Sequence, residues 1–141
     1  MLDFLAGSPI PGLPTEIAYL LLSVALLFVH INLQSVLMTR QLGSDYNASP
    51  RDEDRQVTGV AARAERALRN FNESFAGAAA LMLAVTATDQ ASWWTGFGAA
   101  LYFWARVVYI PLYLTGVLYW RSIVFMVSLA GMVIMFFSVI F

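Results

Sequence analysis

The sequence contains no cysteine and no lysine, and only 12% of its 141 residues are charged. Without cysteine the chain cannot form disulfides, thiolate metal sites or a cysteine nucleophile, which leaves its redox compartment open. With a formal net charge of −1, the chain also lacks the basic stripe by which proteins hold nucleic-acid phosphates. We therefore expect no nucleic-acid partner.

Apolar residues dominate what is present: 60% of the chain is hydrophobic and 14% is aromatic. A soluble domain averages about 45–50% apolar residues, and a small one buries only about two-thirds of the surface that its unfolded chain exposes. The excess apolar surface must face lipid. Helices are predicted over residues 17–38, 61–87, 97–117 and 121–141, each with a membrane-length apolar stretch and without the two-residue alternation of strands. The sequence predicts an all-α integral membrane protein, a four-transmembrane-helix bundle that forms one domain over residues 1–141.

The arginines predict how this bundle is oriented. Six of the eight lie between Arg40 and Arg69, and Arg121 lies in the joint before the fourth helix. By the positive-inside rule, the polar segment 41–58 and this joint are cytoplasmic, and both termini are non-cytoplasmic. Turn formers and mixed charges favour a solvated loop over 41–58. Asp3 and Glu16 precede the first span without a basic residue, so we expect a retained first helix and no cleaved signal peptide.

Ionisable side chains inside membrane spans usually face a partner or a cavity, so they indicate where function lies. At about 100° per residue, the polar residues that open the second helix share one face about 120° wide. They are Arg63, Arg66, Arg69, Asn70 and Glu73. They predict a cytoplasm-facing pocket for an anionic, hydrogen-bonding ligand. The alternative is a buried polar network that only holds the helices together.

The third helix carries a second polar stripe, formed by Tyr102, Arg106, Tyr109 and Tyr113. Arg106 lies about midway along its span and must be paired or hydrated. We expect Glu73 as its first partner and Asn70 as its second.

Two further polar features have competing interpretations. Arg121 and Ser122 open the fourth helix at the cytoplasmic mouth, where the arginine could instead extend to lipid phosphates. His30 is the only histidine and has no Asp, Glu or Cys within its span. We therefore expect it to hydrogen-bond at a helix or subunit interface, and we predict no metal site.

Two sequence blocks carry a family resemblance. Residues 65–73, ERALRNFNE, resemble the signature of the MAPEG family, the membrane-associated proteins in eicosanoid and glutathione metabolism. In that signature an Arg-Ala pair is followed by Asn four residues and Glu seven residues after the Arg. Residues 106–114, RVVYIPLYL, and then Arg121-Ser122 are similar to the family's third and fourth helices. The resemblance covers essentially the whole chain, which looks like a bacterial-type member similar to the prostaglandin E synthase and leukotriene C synthase branches.

The resemblance implies a homotrimer in the bacterial inner membrane, with glutathione bound at the cytoplasmic side between subunits. A lipophilic second substrate would arrive from the lipid bilayer. The residues that would hold glutathione are Arg40, reaching across the interface, with Arg66, Arg69, Asn70, Glu73, Tyr109 and Tyr113. Arg121 matches the arginine that stabilises the glutathione thiolate, and Ser122 matches the serine beside it, which makes both candidate catalytic residues. Arg106 and Tyr102 would belong to the supporting charge network.

Some positions depart from the branches, namely Leu68, Ser74, Tyr109 and Phe125, so eicosanoid specificity is not implied. The leading hypothesis is a glutathione-dependent membrane transferase or peroxidase acting on lipophilic electrophiles or hydroperoxides. The alternative is a non-catalytic lipid-binding or scaffold protein of the same architecture. A small transporter or a structural subunit would also explain charges inside spans, since fold does not fix function.

Overall fold

The computed structural model describes residues 6–141, and this part of the chain is helical without strands. Its elements are α1 (Thr15–Leu42), α2 (Ser44–Ala48), α3 (Gly59–Ala87), α4 (Trp93–Thr115) and α5 (Trp120–Ile140). Short links at 88–92 and 116–119 make α3, α4 and α5 consecutive neighbours. Asp3, on which the expectation of a retained first helix without a cleaved signal peptide partly rests, lies outside the described residues.

Three of the helices, α1, α4 and α5, are long and apolar enough to cross a membrane. At 29 residues α3 is the longest helix of the described part, but its first half contains the charged stripe that begins at Arg63. Those charges lower its hydropathy, and the fourth membrane span therefore stays a prediction.

The bounds of α4 differ from the predicted 97–117 because local capping decides both ends. The Ser92 hydroxyl accepts from the Thr95 backbone at 3.2 Å, and the Thr95 hydroxyl accepts from the Ser92 backbone at 2.7 Å. This capping box starts the helix at Trp93. Gly116, with φ +76°, ends it in the left-handed conformation that glycine adopts without strain.

The polar segment 41–58 is more structured than the predicted loop. α1 continues through Leu42, and the five-residue α2 follows. The Asn47 amide then donates to the hydroxyls of Ser35 and Thr39 on α1, at 3.1 and 2.8 Å. The segment is therefore folded against the end of α1.

Backbone contact between α4 and α5 sets how these two helices pack. A Cβ atom placed on Gly131 would lie 2.5 Å from the Gly98 carbonyl oxygen, and one on Gly98 would lie 2.7 Å from the Gly131 oxygen. Neither position has room for a larger residue, and next to them Met135 is fully buried. This crossing brings α5 close to α4, and the first turn of α5 lies beside the last turns of α4.

The core lies where α1, α3 and α4 meet and centres on Phe71, Met82 and Tyr102, which are fully buried. His30 of α1 is also buried and packs on the Phe71 ring, with 4.8 Å between ring centroids. Within residues 6–141 its Nε2 atom has no hydrogen-bond partner. His30 is thus a packing residue inside this chain, and the expected hydrogen bond is not made there.

Candidate functional site

A cavity of about 310 Å³ opens between α3, α4 and the first turns of α5. Five of the residues proposed from the sequence line it: Asn70, Tyr109, Tyr113, Arg121 and Ser122. Phe125 and Met126 complete the wall, and the exposed side chain of Met126 gives that wall an apolar edge. The cavity thus has a polar wall with one cation and an apolar wall facing outward. A larger cavity of about 560 Å³ lies in segment 42–55 and contains none of the proposed site residues.

Arg106 lies directly behind this cavity and is 1% exposed. Its Nη1 atom donates to the Asn70 side-chain oxygen at 2.7 Å, and its Nη2 atom donates to the Ser74 hydroxyl. The Ser74 hydroxyl in turn lies 3.3 Å from the Tyr102 hydroxyl. These bonds fix Asn70 in the cavity wall by tying α3 to α4.

Aromatic rings surround the same guanidinium. Its Cζ atom lies 4.9 Å from the Phe125 ring centroid, 5.4 Å from that of Tyr109 and 5.7 Å from that of Tyr102. An arginine over a ring face is attracted by the negative face of the ring, and more strongly when water is excluded. Neutral acceptors and rings therefore hold this buried cation.

The prediction that Glu73 is the first partner of Arg106 is wrong. Within residues 6–141 no ion pair joins the two, and Glu73 is exposed. Asn70, the expected second partner, makes the bond together with Ser74. Residues four apart lie one above the other on a helix, so Asn70 and Ser74 face α4 together while Glu73 points away. That i, i+4 spacing was the signal that could have identified Ser74.

Arg121 projects from the first turn of α5, and its guanidinium lies over the Tyr113 ring, with 5.2 Å between Cζ and the ring centroid. Tyr113 packs on Tyr109, one helical turn earlier, with 5.3 Å between their ring centroids. Ser122 is exposed, and its backbone N–H donates to the Tyr119 carbonyl at 2.9 Å. The two candidate catalytic residues thus lie at the edge of the cavity.

Four of the proposed ligand-binding residues are not brought to the cavity within this chain. Arg40, Arg66, Arg69 and Glu73 are exposed on the outside of α1 and α3. Arg63 behaves differently, because its Nε atom donates to the Leu114 carbonyl at 2.8 Å and so caps the end of α4. The predicted face of α3 is therefore divided between an edge that contacts α4 and an edge that is exposed.

Comparison with curated proteins found no match, and comparison with solved structures found none either. Comparison with models of protein families found one that covers residues 17–141, described as the MAPEG family. With its apolar helices and this match over most of its length, the chain is an integral membrane protein that belongs to the MAPEG family.

Proposed function

We propose that this protein is a glutathione-dependent membrane transferase or peroxidase that acts on lipophilic electrophiles or hydroperoxides. Its family includes enzymes of this kind. The observation that carries the proposal is the cavity beside Arg121, where a guanidinium, two tyrosines and an amide meet. In the described part of the chain, no carboxylate is among its lining residues. Such a wall suits an anion with several hydrogen-bonding groups.

The chemistry requires a glutathione thiolate, because the thiolate is the attacking species and the free thiol is mostly protonated at neutral pH. A nearby cation favours the charged form of a thiol. Arg121 is the residue we assign to this task, with the Ser122 hydroxyl as a neighbouring donor. In the transferase reaction the sulfur forms a bond to the electrophilic carbon, and the leaving group departs with its electron pair. The apolar edge at Phe125 and Met126 is where a lipophilic electrophile would approach.

The exposed charges on α3 support assembly with further copies of the chain. Exposed positions recur there at spacings of three and four residues, at Arg66, Arg69, Glu73, Ala76, Ala80 and Leu83. This is the pattern of a helix seam that packs on another helix, and its small residues permit close approach. Ionisable side chains inside a span almost always face a partner or a cavity and not lipid, so Arg66 and Arg69 indicate that this face of α3 is covered. We propose a homotrimer, the state implied by the family resemblance.

In that trimer the charges that this chain leaves exposed would complete the site at a subunit boundary. Arg66 and Arg69 would pair with the glutathione carboxylates and Glu73 with its ammonium group. Arg40 of a neighbouring copy would reach the same ligand. The cavity described above would then be the inner part of a larger site.

Contacts at both ends of the bundle support the proposed orientation. The bond from Arg63 to Leu114 joins the start of α3 to the end of α4, near Arg121. At the opposite end, the Thr95 hydroxyl donates to Glu16 at 2.6 Å and joins the starts of α1 and α4. We propose that the arginine-rich end is cytoplasmic, that all four long helices span a bacterial inner membrane, and that both termini face away from the cytoplasm.

The test is a titration of the purified protein with glutathione while thiolate absorbance is followed, with S-methylglutathione as the control that cannot ionise. We expect saturable absorbance with glutathione alone, and conjugation of a chlorinated nitrobenzene by the same preparation. If neither signal is found, the enzyme proposal is wrong and the non-catalytic, lipid-binding alternative becomes the better interpretation.

A further inference from the structure

What holds the Arg121 guanidinium in place is not explained by its own helix. The residue lies in the first turn of α5, where the helix dipole is positive and gives a cation no attraction. Within residues 6–141 Arg121 has no side-chain hydrogen bond and no ion pair, and the Tyr113 ring is its close contact. The preceding residues 116–119 form a short turn, in which Tyr119 has a positive φ of +66°. The orientation of Arg121 therefore depends on α4.

The Tyr113 ring belongs to a continuous stack along one face of α4. Arg106 lies over Tyr109, Tyr109 packs on Tyr113, and Tyr113 lies under Arg121. We call these four residues the arginine–tyrosine ladder. Arg106, at its inner end, is fixed by Asn70 and Ser74 of α3. The buried network around Arg106 thus supports the two tyrosine rings. Arg121 lies on the second of these rings, at the exposed end of the ladder.

We propose that Tyr113 is a positioning residue, whose ring face holds Arg121 at the cavity edge in the orientation that stabilises a thiolate. The part of this inference that concerns the thiolate rests on the proposed function. Its specific content is that the ring face of Tyr113, and not its hydroxyl, holds Arg121, because a cation is attracted to the ring face. The hydroxyl is left for the ligand contact that the family resemblance implies. Tyr113→Phe keeps that face, whereas Tyr113→Leu and Tyr113→Met remove it.

The first measurement does not depend on glutathione. Phenylglyoxal modifies accessible arginines, and mass spectrometry gives the modification rate of each one in the intact protein in lipid nanodiscs. Losing a cation–π contact of about 1 kcal/mol at this partly exposed site should speed modification of Arg121 by about fivefold in Tyr113→Leu. Tyr113→Phe should stay within about twofold of wild type, and the exposed Arg51 of segment 41–58 serves as the internal reference.

The second measurement is the pH at which bound glutathione is half ionised, read from thiolate absorbance. Measured at saturating glutathione, so that weaker binding after loss of the Tyr113 hydroxyl does not enter, this pH should rise more in Tyr113→Leu than in Tyr113→Phe, a difference that a general loss of packing would not produce. Phe136→Leu is the matched control, because it removes an exposed ring from α5 about 20 Å further along the helix. If Tyr113→Leu does not assemble, Tyr113→Met takes its place as the ring-free variant.

The outcomes separate this inference from the proposed function. Unchanged Arg121 modification in both ring-free variants overturns the positioning role, as does a Tyr113→Phe variant that behaves like Tyr113→Leu. Faster modification without any thiolate signal in wild type supports the positioning role and refutes the glutathione-dependent function. Faster modification together with the pH shift supports both.

Discussion

Replacing Arg121 by alanine should separate catalysis from folding. The side chain is partly exposed, and within residues 6–141 its close partner is the Tyr113 ring. A cation–π contact at such a site contributes about 0.5–1 kcal/mol, so the free energy of unfolding should change by no more than about that amount. Removing a preorganised charge-stabilising group from an active site, in contrast, lowers kcat by about 10²–10³, which corresponds to roughly 2.7–4 kcal/mol.

The assay compares turnover of a chlorinated nitrobenzene, thiolate absorbance at neutral pH and thermal unfolding in the same preparation. In Arg121→Ala, turnover and thiolate absorbance should fall together while the trimer stays assembled and glutathione still binds. Arg121→Lys should recover only part of the loss, because a compact ammonium cannot reproduce the planar guanidinium fork. Arg51→Ala is the matched control, since Arg51 belongs to the polar segment and bonds Asn47 there.

Two results would refute the reasoning. If turnover and thiolate absorbance are unchanged in Arg121→Ala, the residue is a lipid-phosphate anchor and the thiolate is stabilised elsewhere. If turnover falls only because the protein unfolds early, the contact with Tyr113 contributes more to stability than its geometry indicates, and the separation of catalysis from folding fails.

Three further predictions concern packing, binding and orientation. Gly131→Ala should lower the unfolding temperature, because the new Cβ atom meets backbone atoms and overpacking costs about 1–3 kcal/mol. Gly77→Ala is the control and should have little effect, because its new Cβ atom meets only the tip of a flexible methionine side chain. Glu73→Gln should weaken glutathione binding about tenfold in a titration, and equal affinity would contradict its role. Unfolding in the absence of glutathione should be unchanged, because within residues 6–141 Glu73 has no ion pair to lose. Reporter fusions should give a non-cytoplasmic signal at Phe141 and a cytoplasmic signal within 49–58, and a cytoplasmic Phe141 would reverse the orientation.

The parts of the fold that depend on composition and period could be predicted from the sequence. Long apolar runs separated by polar links predict the helices, and the family match confirms the membership that the two motif blocks indicate. Helix ends were harder, because they depend on single side chains: the Ser92 capping box starts α4 earlier than its hydropathy suggests, and Gly116 ends it earlier. The five-residue α2 has too few residues to leave a periodic signal.

The pairing within the site could not be predicted for a geometric reason. Asn70 and Glu73 lie about 60° apart on the α3 wheel, inside the same polar face. A wheel places residues on a face, but which of them reaches a neighbouring helix depends on the rotation of α3 against α4. That rotation is set by tertiary packing, such as the buried Phe71 and the Arg63 bond to Leu114.

The incorrect pairing matters for function, because it changes the charge behind the cavity. A buried ion pair between Arg106 and Glu73 would have had no net charge, and it would have attracted an anionic ligand weakly. The structure instead holds Arg106 with an amide, a hydroxyl and aromatic rings, none of which cancels its charge, and within residues 6–141 its buried Nε atom has no hydrogen-bond partner. Burying a cation without a counterion is unfavourable for folding, so such an arrangement costs stability. Together with Arg121 it leaves positive charge along the polar wall of the cavity, and an entering anion gains the interaction that a carboxylate of the chain would otherwise have taken.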